Sequence, residues 1–149
     1  AEVAVGRMLK QLPLQRIAYN AIPSVVYTNP EIACVGLTEK DLNEIHEGDF
    51  APSMSTDEPF VPYEVHQLPM TYSGRFVAEN EGEMGLCKVI VDKRSKTVMG
   101  VHMIGNPCSE FVAAASFAVR MGYTVGEFKQ VVFPHPTVAE VMREVIMEA

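Results

Sequence analysis

The fold is decided by residues 86–104, which read LCKVIVDKRSKTVMGVHMI. Two runs rich in apolar and β-branched residues, 86–91 and 97–104, flank the short polar link DKRSK at 92–96. Two such runs joined by a few polar residues are typical of an antiparallel hairpin. This hairpin is the clearest β signal of the chain.

Upstream of the hairpin the sequence predicts further strands and two helices. Gly36 lies inside an apolar run, which indicates close approach by another backbone. Thr38 followed by Asp41 resembles a helix N-cap with an acidic first turn. The predicted strands are 24–28, 32–37, 63–70 and 76–78, the last as part of a strand, and the predicted helices are an opening helix containing Val3, Val5, Met8 and Leu9, and residues 39–46.

Downstream of the hairpin the pattern changes to helix. Asn106 is suited to cap a helix, Pro107 to occupy its first position and Gly122 to end it. Two further helices are predicted to open with capping boxes, which pair Thr124 with Glu127 and Thr137 with Glu140. Strands in the middle followed by helices at the end predict an α+β fold, an antiparallel sheet with helices packed against it.

Composition limits the class of protein. The 149 residues predict one domain, and 19 acidic against 12 basic residues leave a formal charge of −7. A chain this acidic is poorly suited to nucleic acid or anionic membranes, because phosphate contacts need a basic face. The longest uncharged apolar stretch, residues 111–119, falls far short of the roughly 18 residues of a membrane span.

The cysteines and the first residues indicate the context of the chain. The three cysteines are widely spaced, which predicts reduced, buried thiols in a reducing compartment; they are Cys34, Cys87 and Cys108. The N-terminus has no initiator Met and is not shaped like a signal peptide, so we expect the tail of a longer chain.

Three of the four histidines are interpreted as structural or solvated. His46 lies near a helix end beside acidic residues, and His66 and His102 alternate with apolar neighbours in predicted strands. A metal site is the alternative, but no two His or Cys residues have tight ligand spacing. We expect no metal.

His135 differs because Pro134 and Pro136 flank it and stiffen the turn before a helix. The His135–Pro136 bond is a candidate cis peptide. Glu140 in the next helical turn is close enough to orient the imidazole, which leaves the other ring nitrogen to act as a base. The alternative is that Glu140 only completes a capping box with Thr137, and one glutamate is not expected to satisfy both partners easily.

Taken together, the motifs resemble the C-terminal dimerisation domain of the dihydrolipoamide dehydrogenase family, within the pyridine nucleotide–disulfide oxidoreductases. The resemblance follows the chain in order over nearly its whole length. We therefore expect residues 1–149 to form one dimerisation domain. The resemblance rests on residues 27–39 (YTNPEIACVGLTE), 86–105, Ser109-Glu110, Met121-Gly122 and His135-Pro136-Thr137 with Glu140.

The resemblance implies a division of labour. FAD and NAD would bind to domains outside these residues, with any cofactor contact here near His135 and Pro136. The domain would form a homodimer, with apolar residues of the last two helices and the sheet in the interface, and supply His135 and Glu140 as an acid/base couple to the partner subunit's active site. The substrate would be dihydrolipoamide on a lipoyl-bearing protein of a 2-oxoacid dehydrogenase or glycine cleavage complex. The resemblance further implies a cytoplasmic protein, or a mitochondrial matrix protein in a eukaryote, whose dimerisation domain is inactive alone.

Two features depart from the family pattern. Phe133 stands where the family usually has the first histidine of His-x-His-Pro. Residues 48–62 look like an insertion, either a variable surface loop or a cover for an edge strand or partner surface.

Two other functions stay open. One is the tail of another flavin disulfide reductase with a glutathione-like or coenzyme-A-like substrate. The other is a stand-alone dimerisation module without catalysis, in which His135 would tolerate substitution.

Overall fold

The computed structural model describes residues 2–9, 17–47 and 62–149. In these ranges the strands are β1 (Ser24–Val26), β2 (Ile32–Gly36), β3 (Tyr63–Pro69), β4 (Leu86–Asp92) and β5 (Val98–Ile104). The helices are α1 (Glu2–Met8), α2 (Glu39–Glu47), α3 (Gly74–Glu79), α4 (Cys108–Met121), α5 (Val125–Phe128) and α6 (Glu140–Met147), with 3₁₀ turns at Tyr19–Ala21 and Met70–Tyr72. The strands form one antiparallel sheet in the order β1-β2-β5-β4-β3. The predicted α+β class is confirmed.

The predicted hairpin lies at the centre of the sheet. β4 and β5 pair antiparallel with Val89 opposite Val101. The link turns on Asp92, whose Oδ1 accepts hydrogen bonds from the backbone N–H groups of Arg94 at 2.7 Å and Ser95 at 2.8 Å. A local carboxylate that binds the turn backbone explains why a short polar link suffices here.

The two faces of the sheet pack against different helices. Cys87, Val89 and Val91 point to one face and are buried in the main core. Lys88, between them, points to the other face, where its Nζ lies 2.6 Å from Oε1 of Glu39 at the start of α2. This alternation follows from the pleat of a β-strand.

Two helices, α4 and α6, cover the core on one face of the sheet. α4 packs over β2 and β5, and α6 packs over β3 and β4. α4 ends at Gly122, which has φ +65°, as predicted from its position. α6 buries one stripe of apolar side chains, Val141, Met142, Val145 and Ile146. Because this stripe is anchored in the core, the first residue of α6 is fixed relative to the sheet.

The predicted strand at residues 76–78 is wrong. These residues belong to α3, which begins after Ser73. The Ser73 hydroxyl accepts a hydrogen bond from the backbone N–H of Phe76 at 3.2 Å, which is an N-cap, and the Phe76 ring is fully buried. The N-cap by Ser73 and the burial of the Phe76 ring outweigh the β propensity of Phe76 and Val77.

Asn106 does not cap α4 as predicted. Its Oδ1 accepts a hydrogen bond from the backbone N–H of Glu31 at 2.9 Å, and Pro107 precedes the helix. The carboxylate of Glu31 instead accepts a hydrogen bond from the backbone N–H of Ser109 in the first turn, at 2.9 Å. A carboxylate is favourable there because it complements the helix dipole.

The remaining boundaries agree with the predictions within a few residues. β1 ends at Val26 rather than at residue 28, and β3 ends at Pro69. The Thr38–Asp41 cap is present, with Thr38 Oγ1 accepting from the backbone N–H of Asp41 at 3.1 Å. Residues 48–61 of the predicted loop lie outside the described residues.

In the described part of the chain, no helix is both long and apolar enough to cross a membrane.

Candidate active site

The turn before α6 presents His135 at the surface. The His135 side chain is 82% exposed, and its peptide bond to Pro136 is cis, as the sequence suggested. The histidine borders a cleft of about 320 Å³ that is also lined by Phe133, Glu140 and Arg143. An exposed imidazole beside a cleft is accessible to a substrate.

Glu140 holds the imidazole and the backbone of the turn at the same time. Its Oε1 lies 2.9 Å from Nδ1 of His135, and its Oε2 accepts a hydrogen bond from the backbone N–H of Thr137 at 2.7 Å. The expectation that one glutamate would not satisfy both partners is therefore wrong. The two carboxylate oxygens divide the task, and the side chain is only 20% exposed.

The predicted capping box is only half formed. The Thr137 hydroxyl donates to the backbone carbonyl of Pro134 at 2.8 Å and does not bind the backbone N–H of Glu140. That bond closes the turn around His135 from the other side. The hydroxyl of Thr137 thus stabilises the loop that carries the histidine rather than the helix start.

The hydrogen bonds to Glu140 favour its charged form. The Thr137 backbone N–H is the main cause that lowers the pKa of Glu140 below its ordinary value, and His135 contributes in the same direction. The Nδ1–H group of a neutral imidazole donates a hydrogen bond to the ionised Glu140, which leaves the lone pair of Nε2 free. The arrangement is chemically that of an oriented general base.

Phe133 anchors the start of the turn. Its ring centroid lies 5.9 Å from that of Phe128 in α5, at an interplanar angle of 35°, and the side chain packs against the core. Where the family resemblance leads one to expect a histidine, this chain has an apolar contact that fixes the segment before His135.

The first of the resemblance motifs contacts the end of the second, the start of the third and Asn106 between them. Glu31 binds Asn106 and Ser109 as described, and its carbonyl oxygen accepts from the backbone N–H of Gly105 at 2.9 Å. Asn106 also donates through Nδ2 to Oδ1 of Asn29 at 2.6 Å. These contacts join segments about 75 residues apart, so motifs that are distant in sequence form one structure.

The other histidines do not join the site. His102 Nε2 lies 2.9 Å from the carbonyl oxygen of Leu37, which fits the predicted structural role. His66 was also expected to be structural, with its polar atoms hydrogen-bonded, but Nε2 is buried without a hydrogen-bond partner among the described residues. Oε2 of Glu64 lies 3.7 Å from this atom. The His46 side chain lies outside the described residues. Nowhere in the described ranges do three His, Cys, Asp or Glu side chains gather as metal ligands.

The cysteines are free thiols, as predicted, and two of them are fully buried. Burial raises the pKa of Cys87 to about 12 and that of Cys108 to about 11. Cys34 is half-buried, and burial also raises its pKa. High thiol pKa values make these residues poor nucleophiles.

The chain is similar to known proteins over most of its length. Residues 22–146 match the family model described as "Pyridine nucleotide-disulphide oxidoreductase, dimerisation domain". The chain is 36% identical over 133 residues to the mitochondrial dihydrolipoyl dehydrogenase of Caenorhabditis elegans, covering 89% of this chain and 24% of that protein. It is 35% identical over 124 residues to the dihydrolipoyl dehydrogenase of Haloferax volcanii, covering 83% of this chain and 23% of the relative. The chain spans about a quarter of the length of these relatives.

Solved structures share the fold. LpdA from Mycobacterium tuberculosis superposes with a TM-score of 0.78 at 21% identity, covering 97% of this chain and 28% of that one. A copper(II) complex of the HOCl-induced flavoprotein disulfide reductase RclA from Escherichia coli superposes with a TM-score of 0.76 at 18% identity, covering 99% of this chain and 30% of that one. At these identities the likeness supports the architecture alone.

Proposed function

Because the chain belongs to the pyridine nucleotide-disulphide oxidoreductase dimerisation-domain family, we propose that it is the dimerisation domain of a dihydrolipoyl dehydrogenase. The relatives that cover most of the chain at 30% identity or more carry that name. In this proposal residues 1–149 are part of a longer enzyme that oxidises protein-bound dihydrolipoamide with FAD and NAD.

The single observation that carries the proposal is the pairing of His135 with Glu140. Nδ1 of the exposed imidazole lies 2.9 Å from a sheltered, ionised carboxylate, so Nε2 faces outward as the base. In the proposed reaction Nε2 takes the proton from a dihydrolipoyl thiol, and the resulting thiolate attacks a disulfide of the enzyme. The dihydrolipoyl dithiol is oxidised to its disulfide while the enzyme disulfide is reduced to two thiols.

The flavin and nicotinamide would then carry the electron pair away. In this proposal neither dinucleotide binds to the residues of this chain. The sequence has no glycine-rich phosphate-binding pattern. The clefts beside His135 and Pro136 measure about 320 and 280 Å³, at the lower limit for even a small ligand. What this chain contributes is the base, its orientation and a surface beside Pro136.

The proposal includes a homodimer in which each subunit supplies its His135 to the partner's active site. Large apolar side chains that are more than 40% exposed support an interface, among them Phe117, Met121, Val132 and Met147. The proposed partner is a lipoyl-bearing protein of a 2-oxoacid dehydrogenase or glycine cleavage complex. The proposed location is the cytoplasm, or the mitochondrial matrix in a eukaryote.

The test is the turnover of dihydrolipoamide by the flavin-containing enzyme that carries this chain. His135→Gln is expected to lower kcat/KM by about 100-fold or more with flavin content unchanged, because a positioned base typically contributes that much. Glu140→Gln is expected to lower it less, since the base remains but loses its orientation.

Glu127→Gln is the matched control. Glu127 also accepts a hydrogen bond from a backbone N–H, that of Thr124 at 2.9 Å, in the first turn of a helix. Among the described residues no histidine contacts Glu127, so its substitution should leave turnover intact. Unchanged turnover in His135→Gln would refute the catalytic role and favour a dimerisation module. Turnover of a glutathione-like disulfide instead of lipoamide would favour another reductase.

A further inference from the structure

Ser73 links the start of α3 to the turn that carries the candidate base. Among the described residues it is the one buried polar side chain, with 1% of its surface exposed. Its hydroxyl accepts from the backbone N–H of Phe76 and donates to the backbone carbonyl of Thr137 at 2.9 Å. The two ends of that second bond are 64 residues apart in sequence.

The contacts of Thr137 continue this link to the active site. Its carbonyl oxygen accepts from the Ser73 hydroxyl at 2.9 Å and from the backbone N–H of Glu140 at 3.4 Å. Its hydroxyl is bound to Pro134, and its N–H is bound to Oε2 of Glu140. The other oxygen of that carboxylate holds Nδ1 of His135. The direction in which Glu140 points is therefore set by the N–H of Thr137, and Ser73 fixes the next peptide unit, between Thr137 and Val138, from the core.

The burial of Ser73 makes this contact specific. Water has little access to the serine, so no solvent molecule readily replaces its hydroxyl when it is removed. Among the described residues, the carbonyl of Thr137 would then keep the longer hydrogen bond from the backbone N–H of Glu140, and the adjoining backbone would move. In enzymes, a displacement of about 1 Å in the residues that position a catalytic group can lower the rate by about 100-fold.

We propose that Ser73 is a positioning residue for the His135–Glu140 couple, acting through the backbone of Thr137. The inference rests on the proposed function for its catalytic consequence, although the structural link is independent of it. Ser73 contacts neither His135 nor the cleft beside it.

The test compares two variants of Ser73 with one control. Ser73→Gly removes the hydroxyl donor at little cost to the cap, because Gly is tolerated at N-caps, whereas Ser73→Thr retains a hydroxyl. Thr124→Gly is the control, because Thr124 caps α5 in the same way, accepting from the backbone N–H of Glu127 at 3.2 Å. Of these three variants, only Ser73→Gly removes a donor to the turn.

The first measurement needs no flavin and no substrate. The side-chain carboxyl of Glu140 is titrated by carbon-13 NMR in this 149-residue chain. In Ser73→Gly the midpoint is expected to rise by about 0.5 pH unit toward the ordinary glutamate value, as the Thr137 N–H loses its alignment. Thr124→Gly should leave the midpoint unchanged, and Ser73→Thr should restore it. An unchanged midpoint in a folded Ser73→Gly would overturn the proposal.

The second measurement is turnover in the flavin-containing enzyme. Ser73→Gly is expected to lower kcat about 10-fold with little change in KM, and Ser73→Thr to recover it. If His135→Gln leaves turnover intact, the proposed function fails, yet the Glu140 midpoint still decides the role of Ser73. If His135→Gln abolishes turnover while Ser73→Gly leaves the titration midpoint of Glu140 unchanged, the proposed function stands and the positioning role of Ser73 fails.

A third variant covers the case in which Ser73→Gly does not fold. Ser73→Cys nearly preserves the side-chain volume and offers a weaker hydrogen-bond donor. The titration midpoint of Glu140 is therefore expected to lie between its wild-type value and the value without any donor at position 73. A wild-type midpoint and wild-type kcat in Ser73→Cys would contradict the proposal.

Discussion

Nδ1 of His135 and Oε1 of Glu140 lie 2.9 Å apart, yet the histidine side chain is 82% exposed and the glutamate only 20%. The pair is therefore asymmetric. The carboxylate is sheltered and held by the backbone, while the imidazole reaches outward from it. This asymmetry suits a base that must meet a substrate from outside the chain and keep one orientation.

The first prediction concerns the protonation of the neutral His135 ring. An ionised Glu140 beside Nδ1 favours the tautomer that carries its proton on Nδ1. Nitrogen-15 NMR of the neutral ring should show Nδ1 protonated and Nε2 without a proton. In Glu140→Gln the preference should be lost, and in Glu127→Gln it should persist. An Nε2-protonated ring in the wild type would contradict the oriented-base assignment.

Local patterns of the sequence predicted local structure well. The hairpin at residues 86–104 and the Thr124–Glu127 capping box are both present, because each depends on neighbours within a few positions. The helix at 74–79 was missed because it depends on the Ser73 cap and on burial of Phe76 in the tertiary core. The signal that was available is a serine three residues before a large apolar residue.

In the candidate site, too, the sequence predicts the local contacts and not those that depend on the tertiary structure. The pairing of His135 with Glu140 was predicted from spacing and resemblance, and the structure brings the two together. The dual role of the carboxylate was not predicted, since it depends on the direction of two oxygens. The contact from Ser73 could not be predicted, because 64 residues separate it from Thr137.

The second prediction is an order of thiol reactivity. Because burial raises the pKa values of Cys87 and Cys108 to about 12 and 11, neither forms much thiolate at pH 8. Cys34 is half-buried and should react first with a maleimide in the folded chain. Mass spectrometry after timed labelling should show one modified cysteine in native buffer and three in denaturant. Early labelling of Cys87 would contradict the described core.

The third prediction concerns the close approach of β2 and β5. Gly36 has φ +83°, and a Cβ added there would overlap the carbonyl oxygen of Met99. Gly36→Ala should lower the free energy of unfolding by at least about 3 kcal/mol, because neither backbone can move without breaking sheet pairing. Urea unfolding measures this loss.

Gly74→Ala is the matched control for that substitution. A Cβ at Gly74 meets nothing within 4 Å, and the residue lies at the start of α3. Its unfolding free energy should be unchanged or raised by up to about 1 kcal/mol, since Ala favours helix over Gly. Equal losses in both variants would show that the strain at Gly36 is not specific.

The last prediction is a loss of stability in acid. Hydrogen bonds from cap backbone N–H groups lower the pKa values of three carboxylates, Asp41, Glu127 and Glu140. A group whose pKa is lower in the folded chain than in the unfolded chain stabilises the fold above its unfolded value, and that stabilisation is lost as the pH falls through the folded value. The free energy of unfolding should therefore be steady near neutrality and decline below the ordinary pKa values of 3.8 for Asp and 4.5 for Glu. Asp41→Asn should flatten this decline, because the amide does not titrate, and a decline equally steep in that variant would assign the acid sensitivity to other groups.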